Sequence, residues 1–530
     1  MKASPMFNPM SAAFFKKKYG FRLLLNEGRS FQHLVKTGKG EAQMWAWIEV
    51  LIRKPCEGMD ISLRQKLLRA SLDHDISPAL MLASAGNQFS MIVRVPAAWR
   101  AFLRSCGLKI HCASLFAWQA EIIRKFLDGV RCYRRLCGPL PLAPAVPYAV
   151  LSGLHGNSYT SVLRNENAQD FLAWFRNRFP QPHYWIVPAS VEAYETVQDC
   201  TFVPAVFPAL PVKARAEFKS ASRAAIFSAL AKLCVGRWHD AYMLADRLEE
   251  IYMKFVPAQD LAKVYVFTNS VYIYRPLWTY EAERRGAKIS LFFYSTNTFN
   301  ITLAGGHANG NAPAYSLMSW PYIFTQHENH KKFLYDTLSV KADIQVAGMI
   351  PYEDNAADID LPGALKIVYL DVQPFRAAFM ASIGRPCHFY TEDISREAFQ
   401  DLVSLARDNN AQLFIKPKRN VGKRLSPAYR KMLHDTEQKN HVKIIDPYIS
   451  PQRLCQEADI VICQPFTTAA LFAELAGKPV AYYDAQSLFV KDQLACQGIP
   501  LLNGREEMAR WLGAQVLEIK NRKSKNVKSD

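Results

Sequence analysis

What these 530 residues lack narrows the field first. No apolar run reaches the ~18 residues needed to span a bilayer, and Ala224 to Val235 is too short and broken by Lys232. The N-terminus has no leader pattern, because Lys16-Lys17-Lys18 follows the apolar residues instead of preceding them. A cytoplasmic protein is the expectation. The 11 cysteines, among them Cys56, Cys106, Cys112, Cys132, Cys137 and Cys200, include no CxxC pair and no nearby histidine at zinc spacing. That pattern argues against a disulfide framework or a zinc module and predicts reduced thiols. There is no GxxxxGK(S/T) and no GxGxxG after a strand, so P-loop NTPases and nicotinamide oxidoreductases lose ground. The glycine-rich run from Gly305 to Gly310 follows no clean strand end and reads as a loop. No DxD pair stands at a convincing strand end, so neither a metal nor a cofactor is expected. RNA- and DNA-binding signatures are missing too, and nucleic acid is not an expected partner.

Acidic residues are also short. Against 65 Lys and Arg stand 47 Asp and Glu, a net charge of +18. Such a field attracts polyanions, and on charge alone nucleic acid, anionic lipid and phosphorylated substrates all qualify. The basic residues cluster at Lys16 to Arg22, Arg124 to Arg135, Lys416 to Arg424 and Lys520 to Lys528. Phe14 to Tyr19 and the amphipathic stretch Trp118 to Tyr133 mix bases with aromatics, which suits an anionic inner-membrane surface and predicts peripheral attachment there.

What is present is a globular chain. Half the residues are hydrophobic and 12% aromatic, and the length calls for two or three cores. Residues 1–140 carry helical periodicity (Phe116, Ala120, Ile123, Phe126, Leu127, Val130) and no catalytic spacing; His74 and His111 read as structural. The proline-rich stretch Gly138 to Pro144 marks a boundary. From 145 to 345 strands at Tyr148 to Leu151, Trp185 to Val187, Thr201 to Val206, Val264 to Thr268 and Lys288 to Tyr294 alternate with helices, notably Asn167 to Arg178 and Ala224 to Phe255. A second set begins near Ile344, with the crossing at Gly348-Met349-Ile350-Pro351, and spans 346–515. Its strands are Ile367 to Leu370, Leu413 to Ile415, Val442 to Ile445, Ile460 to Cys463 and Val480 to Tyr483. Residues 516–530 read as a basic tail. Alternation of this kind defines an α/β fold with parallel sheets covered on both faces.

The stretch Ala458 to Asp484 is the most informative. It reads strand, loop, helix, strand, with Gly477 ending the helix and Thr467 or Thr468 capping its start. A ligand of an open α/β sheet sits beyond the carboxyl ends of its strands. There Lys416, Lys418 and Arg419 supply cations, and the Gln464 to Thr468 loop supplies hydroxyls and helix N–H donors. Together they describe a mono- or diphosphate site. Glu474, two turns into the helix, is placed to accept from ribose hydroxyls.

Gln464-Pro465-Phe466-Thr467-Thr468, then Glu474 to Pro479 and Tyr482-Tyr483-Asp484, resembles the bacterial polysaccharide-biosynthesis proteins named for a Pro-Phe-Thr-Ser motif, with Thr468 in place of the serine. Phe267 to Ser270, Pro276 to Glu283, Phe293 to Asn297, Lys416 to Arg419 and Gly498 to Leu502 extend the resemblance in the same order, over about residues 145–512. The resemblance implies two Rossmann-like domains facing a cleft (GT-B-like), with a helical N-terminal extension. It also implies a glycosyltransferase-like protein of capsule, O-antigen or similar surface glycans. A nucleotide-sugar would be the donor and a glycan or lipid-linked molecule the acceptor, without metal. The lysines and Thr467-Thr468 would hold the donor phosphates. The expected general base is Glu281, with Glu283, His155 and His327 as further candidates. A sugar-nucleotide epimerase of the same fold and a non-catalytic scaffold of a membrane-bound glycan assembly are the rival readings.

Overall fold

The structure is a computed structural model. It describes residues 61–63, 65, 66, 112–138, 146–152, 171–181, 183–187, 195–197, 200–203, 207–268, 274–296, 299–304, 308, 309, 315, 318–349, 359, 361–374, 392–418, 427–447 and 449–526. Among these, helix α1 (Cys112–Cys137) precedes the first sheet. The sheet's strands and helices then alternate: β1 (Ala149–Ser152), α2 (Phe171–Arg178), β2 (Tyr184–Val187), β3 (Glu195–Val197), β4 (Cys200–Phe202), α3 (Val212–Cys234), α4 (His239–Tyr242), α5 (Leu244–Phe255), β5 (Val264–Thr268), α6 (Trp278–Arg284) and β6 (Lys288–Phe292). A small hairpin, β7 (Ile301–Thr302) with β8 (Ala308–Asn309), is followed by β9 (Tyr322–Thr325), α7 (Glu328–Thr337) and β10 (Asp343–Val346).

The eight sheet strands run in the order β10-β9-β6-β5-β1-β2-β4-β3, all parallel except the β3–β4 hairpin at one edge. The apolar, β-branched run Val264–Thr268 is buried along its whole length, as a central parallel strand must be. The helical region expected from Ala224 to Phe255 is observed as three helices, the first ending where Gly236 adopts φ +83° and the N–H groups of Gly236 and Arg237 turn back to Leu233 and Lys232. One expectation needs correction. Ile344, expected to open the second set, lies in β10 and closes the first sheet. Both β9 and β10 went unanticipated; β10 is an edge strand with only one fully buried residue, so its apolar signal is weak.

The second sheet is built from β11 (Lys366–Leu370), α8 (Glu392–Asp408), β12 (Gln412–Lys416), α9 (Pro427–Glu437), β13 (Val442–Ile444), α10 (Pro451–Glu457), β14 (Ile460–Cys463), α11 (Ala469–Leu475), β15 (Val480–Asp484) and β16 (Leu501–Asn503). Its order, β13-β12-β11-β14-β15-β16, is wholly parallel and is that of a doubly wound dinucleotide-type sheet, 3-2-1-4-5-6. Alternate residues serve two cores. Val368, Leu370, Phe414, Val461 and Cys463 face one, while Ile367, Tyr369, Leu413, Ile415, Ile460 and Ile462 face the other. The last helix, α12 (Gly504–Asn526), buries Met508, Leu512 and Val516 on the second face and continues into the basic segment. The α/β class with two Rossmann-like sheets is therefore the one observed. Of the helical N-terminal region, only residues 61–63, 65, 66 and 112–138 are described.

The hairpin strand β7 and the segment that follows β15 are joined by backbone as well as by side chains. Ala304 N–H donates to Leu488 O at 2.8 Å and Val490 N–H to Thr302 O at 3.0 Å, with Leu303 and Phe489 bridged between them. Gln493 Oε1 accepts from Thr302 N–H at 2.8 Å.

Arg275 anchors the segment that leads into α6. Its buried guanidinium donates to Ser319 O at 2.8 Å and to Thr279 Oγ1 at 3.0 Å, pairs with Glu283 and lies 3.9 Å above the Tyr280 ring. Gln65 completes the cluster, accepting from Arg275 N–H at 3.0 Å and donating to Ser319 Oγ at 2.8 Å. Arg275→Met leaves these acceptors buried without a donor. Chemical denaturation should show a loss of about 3 kcal/mol.

Candidate functional site

Strand order reverses between β11 and β14, so the loops after these two neighbours run in opposite directions and leave a crevice. A cavity of about 460 Å³ lies there. Leu370 at the end of β11 with Asp371 and Val372 after it, Lys416 and Lys418 at the end of β12, and Thr467, Thr468 and Phe472 after β14 form its floor. Tyr294 and Ser295, which follow β6, close it from the first sheet. The cavity thus lies between the two sheets.

Lys416 is the last residue of its strand and is buried. Its ammonium donates to Pro417 O at 3.2 Å and Pro447 O at 3.1 Å, and these carbonyls fix the charge at the cavity wall. Lys418, two residues on, is exposed at the rim. Arg419 lies outside the described residues.

The loop after β14 is held by its own side chains. Gln464 extends the ladder through N–H to Leu370 O at 3.0 Å, and its Oε1 accepts from the Tyr369 hydroxyl at 2.6 Å. Thr467 Oγ1 donates to Gln464 O at 3.1 Å, and Thr467 O accepts from the Tyr482 hydroxyl at 3.0 Å. Phe466 sits at φ +62°, a strained conformation for an aromatic residue. Its buried ring packs 4.9 Å from Phe489 and 5.9 Å from Tyr482, which holds the loop in that shape.

Thr468 departs from expectation. It stands at the N-cap position of α11 but has helical backbone angles and makes no side-chain cap bond. Its Oγ1 instead accepts from Thr296 N–H at 3.0 Å and lies 3.2 Å from Ser295 Oγ. The expected cap is a tie between the two sheets. Helix α11 has only seven residues, and the N–H groups of Ala470 and Leu471 are taken by Thr467 O and Thr468 O. Two of the expected helix N–H donors are therefore spent within the turn. At the other end the expectation holds: Gly477 is at φ +66°, and its N–H and that of Lys478 return to Glu474 O and Ala473 O. Glu474 is exposed and does not line the cavity.

The described candidate bases stand elsewhere. Glu281 is on α6, paired with Arg284 at 2.9 Å. Glu283 is paired with Arg275. His327 caps α7, its Nδ1 accepting from Asn329 N–H at 3.2 Å, so the neutral ring carries its proton on Nε2 and offers no second acceptor. None of the three lines the cavity. His155 lies outside the described residues.

Asp371 and Tyr429 went unassigned in the sequence. Asp371 borders the cavity, but alternation along β11 puts its carboxyl on the Tyr369 side of the sheet, opposite Leu370. There the Tyr429 hydroxyl donates to it, and burial pushes its pKa up to about 6. The strand-end position of Asp371 was a visible signal; Tyr429 sits in a helix with none. Among the described residues no group of three or more His, Cys, Asp or Glu is placed to hold a metal.

Two doubly wound sheets that share one cavity, with lysines at the strand ends of the second, define the class of fold and site. The chain belongs to the family described as polysaccharide biosynthesis PFTS motif proteins, whose sequence model matches residues 224–512, more than half of its length. No curated protein matches it. Solved structures similar to it include an alpha,alpha-trehalose 6-phosphate synthase from Burkholderia multivorans (8% identity, 72% of this chain and 94% of that one, TM-score 0.40). The UDP-GlcNAc 2-epimerase from Methanocaldococcus jannaschii is similar at 8% identity, over 69% and 92% of the two chains, with a TM-score of 0.37. The wall teichoic acid polymerase TagF is similar at 10% identity, over 74% and 88%, with a TM-score of 0.36. Likeness at this level assigns no reaction to this chain.

Replacing Thr468 with valine removes the acceptor for Thr296 N–H while keeping the shape. Urea unfolding should show a loss of about 1–3 kcal/mol, with Thr468→Ser close to wild type.

Proposed function

We propose that this protein is a glycosyltransferase-like enzyme of bacterial surface-polysaccharide biosynthesis, in the capsule or O-antigen class, acting at the cytoplasmic face of the inner membrane. It moves a sugar from a nucleotide-sugar to a glycan or lipid-linked acceptor. The observation that carries the reading is the cavity itself, which has Lys416 and Lys418 on its second-sheet wall and Ser295 on its first-sheet wall.

In this reading the donor diphosphate lies against Lys416 and Lys418. Fixed positive charge there stabilises the negative charge that builds on the leaving phosphate, the work a metal ion does in other transferases. Lys416 is already desolvated and held by two carbonyls, so it need not reorganise during the reaction. Arg419 is assigned a third contact. Thr467 and Thr468 shape the loop over the phosphates, and the Thr468 link to Thr296 keeps the acceptor side closed against the donor side. Water is thereby kept from the activated sugar.

The acceptor hydroxyl needs a base from the first sheet. Glu281 and Glu283 would first have to leave Arg284 and Arg275, and His327 is a donor in its capping state. His155 is the remaining candidate. It follows β1 by three positions in sequence, and β1 and β5 are the pair at which the first sheet's order reverses. A His155→Gln variant should keep nucleotide binding and lose about 10²- to 10⁴-fold in transfer rate, read by release of nucleotide.

Thermal unfolding with CMP, CDP, UDP, GDP and dTDP tests the donor site. One nucleotide at 100 times its dissociation constant should add ~2.7 kcal/mol. Lys416→Ala should abolish that shift. Stabilisation that survives Lys416→Ala, or none by any nucleotide, contradicts the reading.

A further inference from the structure

Helix α3 is apolar on two opposite sides, and the fold uses only one. The inner side buries Phe218, Ser222, Ala229 and Leu233, with the Phe218 ring 4.9 Å from that of Tyr252. The outer side leaves Val212 86%, Phe227 70% and Leu230 43% exposed, and Val235 just beyond the helix 71% exposed. Ala216, Ala224 and Ala231 are exposed among them. A helix with one apolar stripe is explained by the core it covers; a second, solvated stripe is not.

The charges around this stripe are predominantly positive. The helix carries Lys213, Arg215, Lys219, Arg223 and Lys232, and Glu217 is its one acid. Arg237 follows it, exposed. Asp240 is paired with Lys232, and Arg223 donates to the Tyr133 hydroxyl of α1 at 3.3 Å. Helix α1, thus alongside, exposes Ile123 and Leu127, with Arg131 and Arg134 also outward. Apolar side chains at the level of a bilayer's acyl boundary, ringed by Lys and Arg at the level of its headgroups, are how a helix lies on an anionic membrane. Two copies of this chain meeting on the face would set basic helix against basic helix.

The geometry points to the outer face of α3, centred on Phe227 and Leu230, as the surface that seats the protein on an anionic lipid bilayer. This surface belongs to the first sheet's helical layer and does not rest on the donor-site reading. It does place the acceptor side of the cleft on the body that touches lipid, as a lipid-linked acceptor requires.

Co-sedimentation of the full chain with phosphatidylcholine vesicles, with and without phosphatidylglycerol, tests it. Binding should need phosphatidylglycerol, weaken with salt, and fall at least ~10-fold in Phe227→Glu/Leu230→Glu and in Lys213→Glu/Lys219→Glu. Phe227, Leu230 and Lys213 are exposed and Lys219 is half-buried at the flank of the face, so the thermal midpoint and any nucleotide-induced shift should stay close to wild type, which separates this surface from the donor site. Binding that is equal on both vesicles, or unchanged in the helix variants but lost in Lys520→Glu/Lys523→Glu, overturns the proposal. So does self-association that Phe227→Glu abolishes in a protein that ignores vesicles.

Discussion

A doubly wound sheet has one place where neighbouring loops must part, and in the second sheet it lies between β11 and β14. Everything at the candidate site follows from that constraint. The loop after β11 turns one way and the Gln464 to Thr468 loop the other, which leaves room for a ligand. Lys416 ends the strand beside β11, in register with Leu370, so its ammonium meets the space from the adjacent strand end. The crevice would be open without the first sheet. Tyr294 and Ser295 after β6 close it, and the backbone bonds at 302–304 and 488–490 hold the two sheets in that relation.

The family motif acquires a physical meaning from this arrangement. Gln464 is bonded to Tyr369, Phe466 is wedged against Phe489 in a left-handed conformation, and Thr467 is tied to Tyr482. Three of its residues therefore build the loop, and Thr468 reaches the other sheet. A hydroxyl at that position serves as an acceptor across the cleft, which serine provides as well as threonine. The second motif, Pro276 to Glu283, is an anchor: Thr279, Tyr280 and Glu283 surround the Arg275 guanidinium.

Much of this was legible in the sequence, for physical reasons. The central parallel strands, such as Val264–Thr268 and Ile460–Cys463, are buried on both faces and read as short apolar runs with polar ends. Gly477 was readable as a helix stop because only a left-handed residue completes that turn. Edge strands were harder, since β10 is buried at a single residue. The use of each polar side chain was harder still. Whether Thr468 caps its own helix or reaches another sheet depends on what stands across the cleft, and nothing local encodes that. The same holds for Glu281 and Glu283, which look like available acids in sequence and are held by Arg284 and Arg275 in space.

The central claim is that the cavity between the sheets holds a nucleoside diphosphate at the lysine-bearing strand ends. Amide hydrogen exchange with and without the stabilising nucleotide tests it by position. The account predicts slower exchange at residues 371–374, 416–418, 464–470 and 294–296, with the outer face of α3 unchanged. Protection confined to other segments, or none at these four, would contradict it.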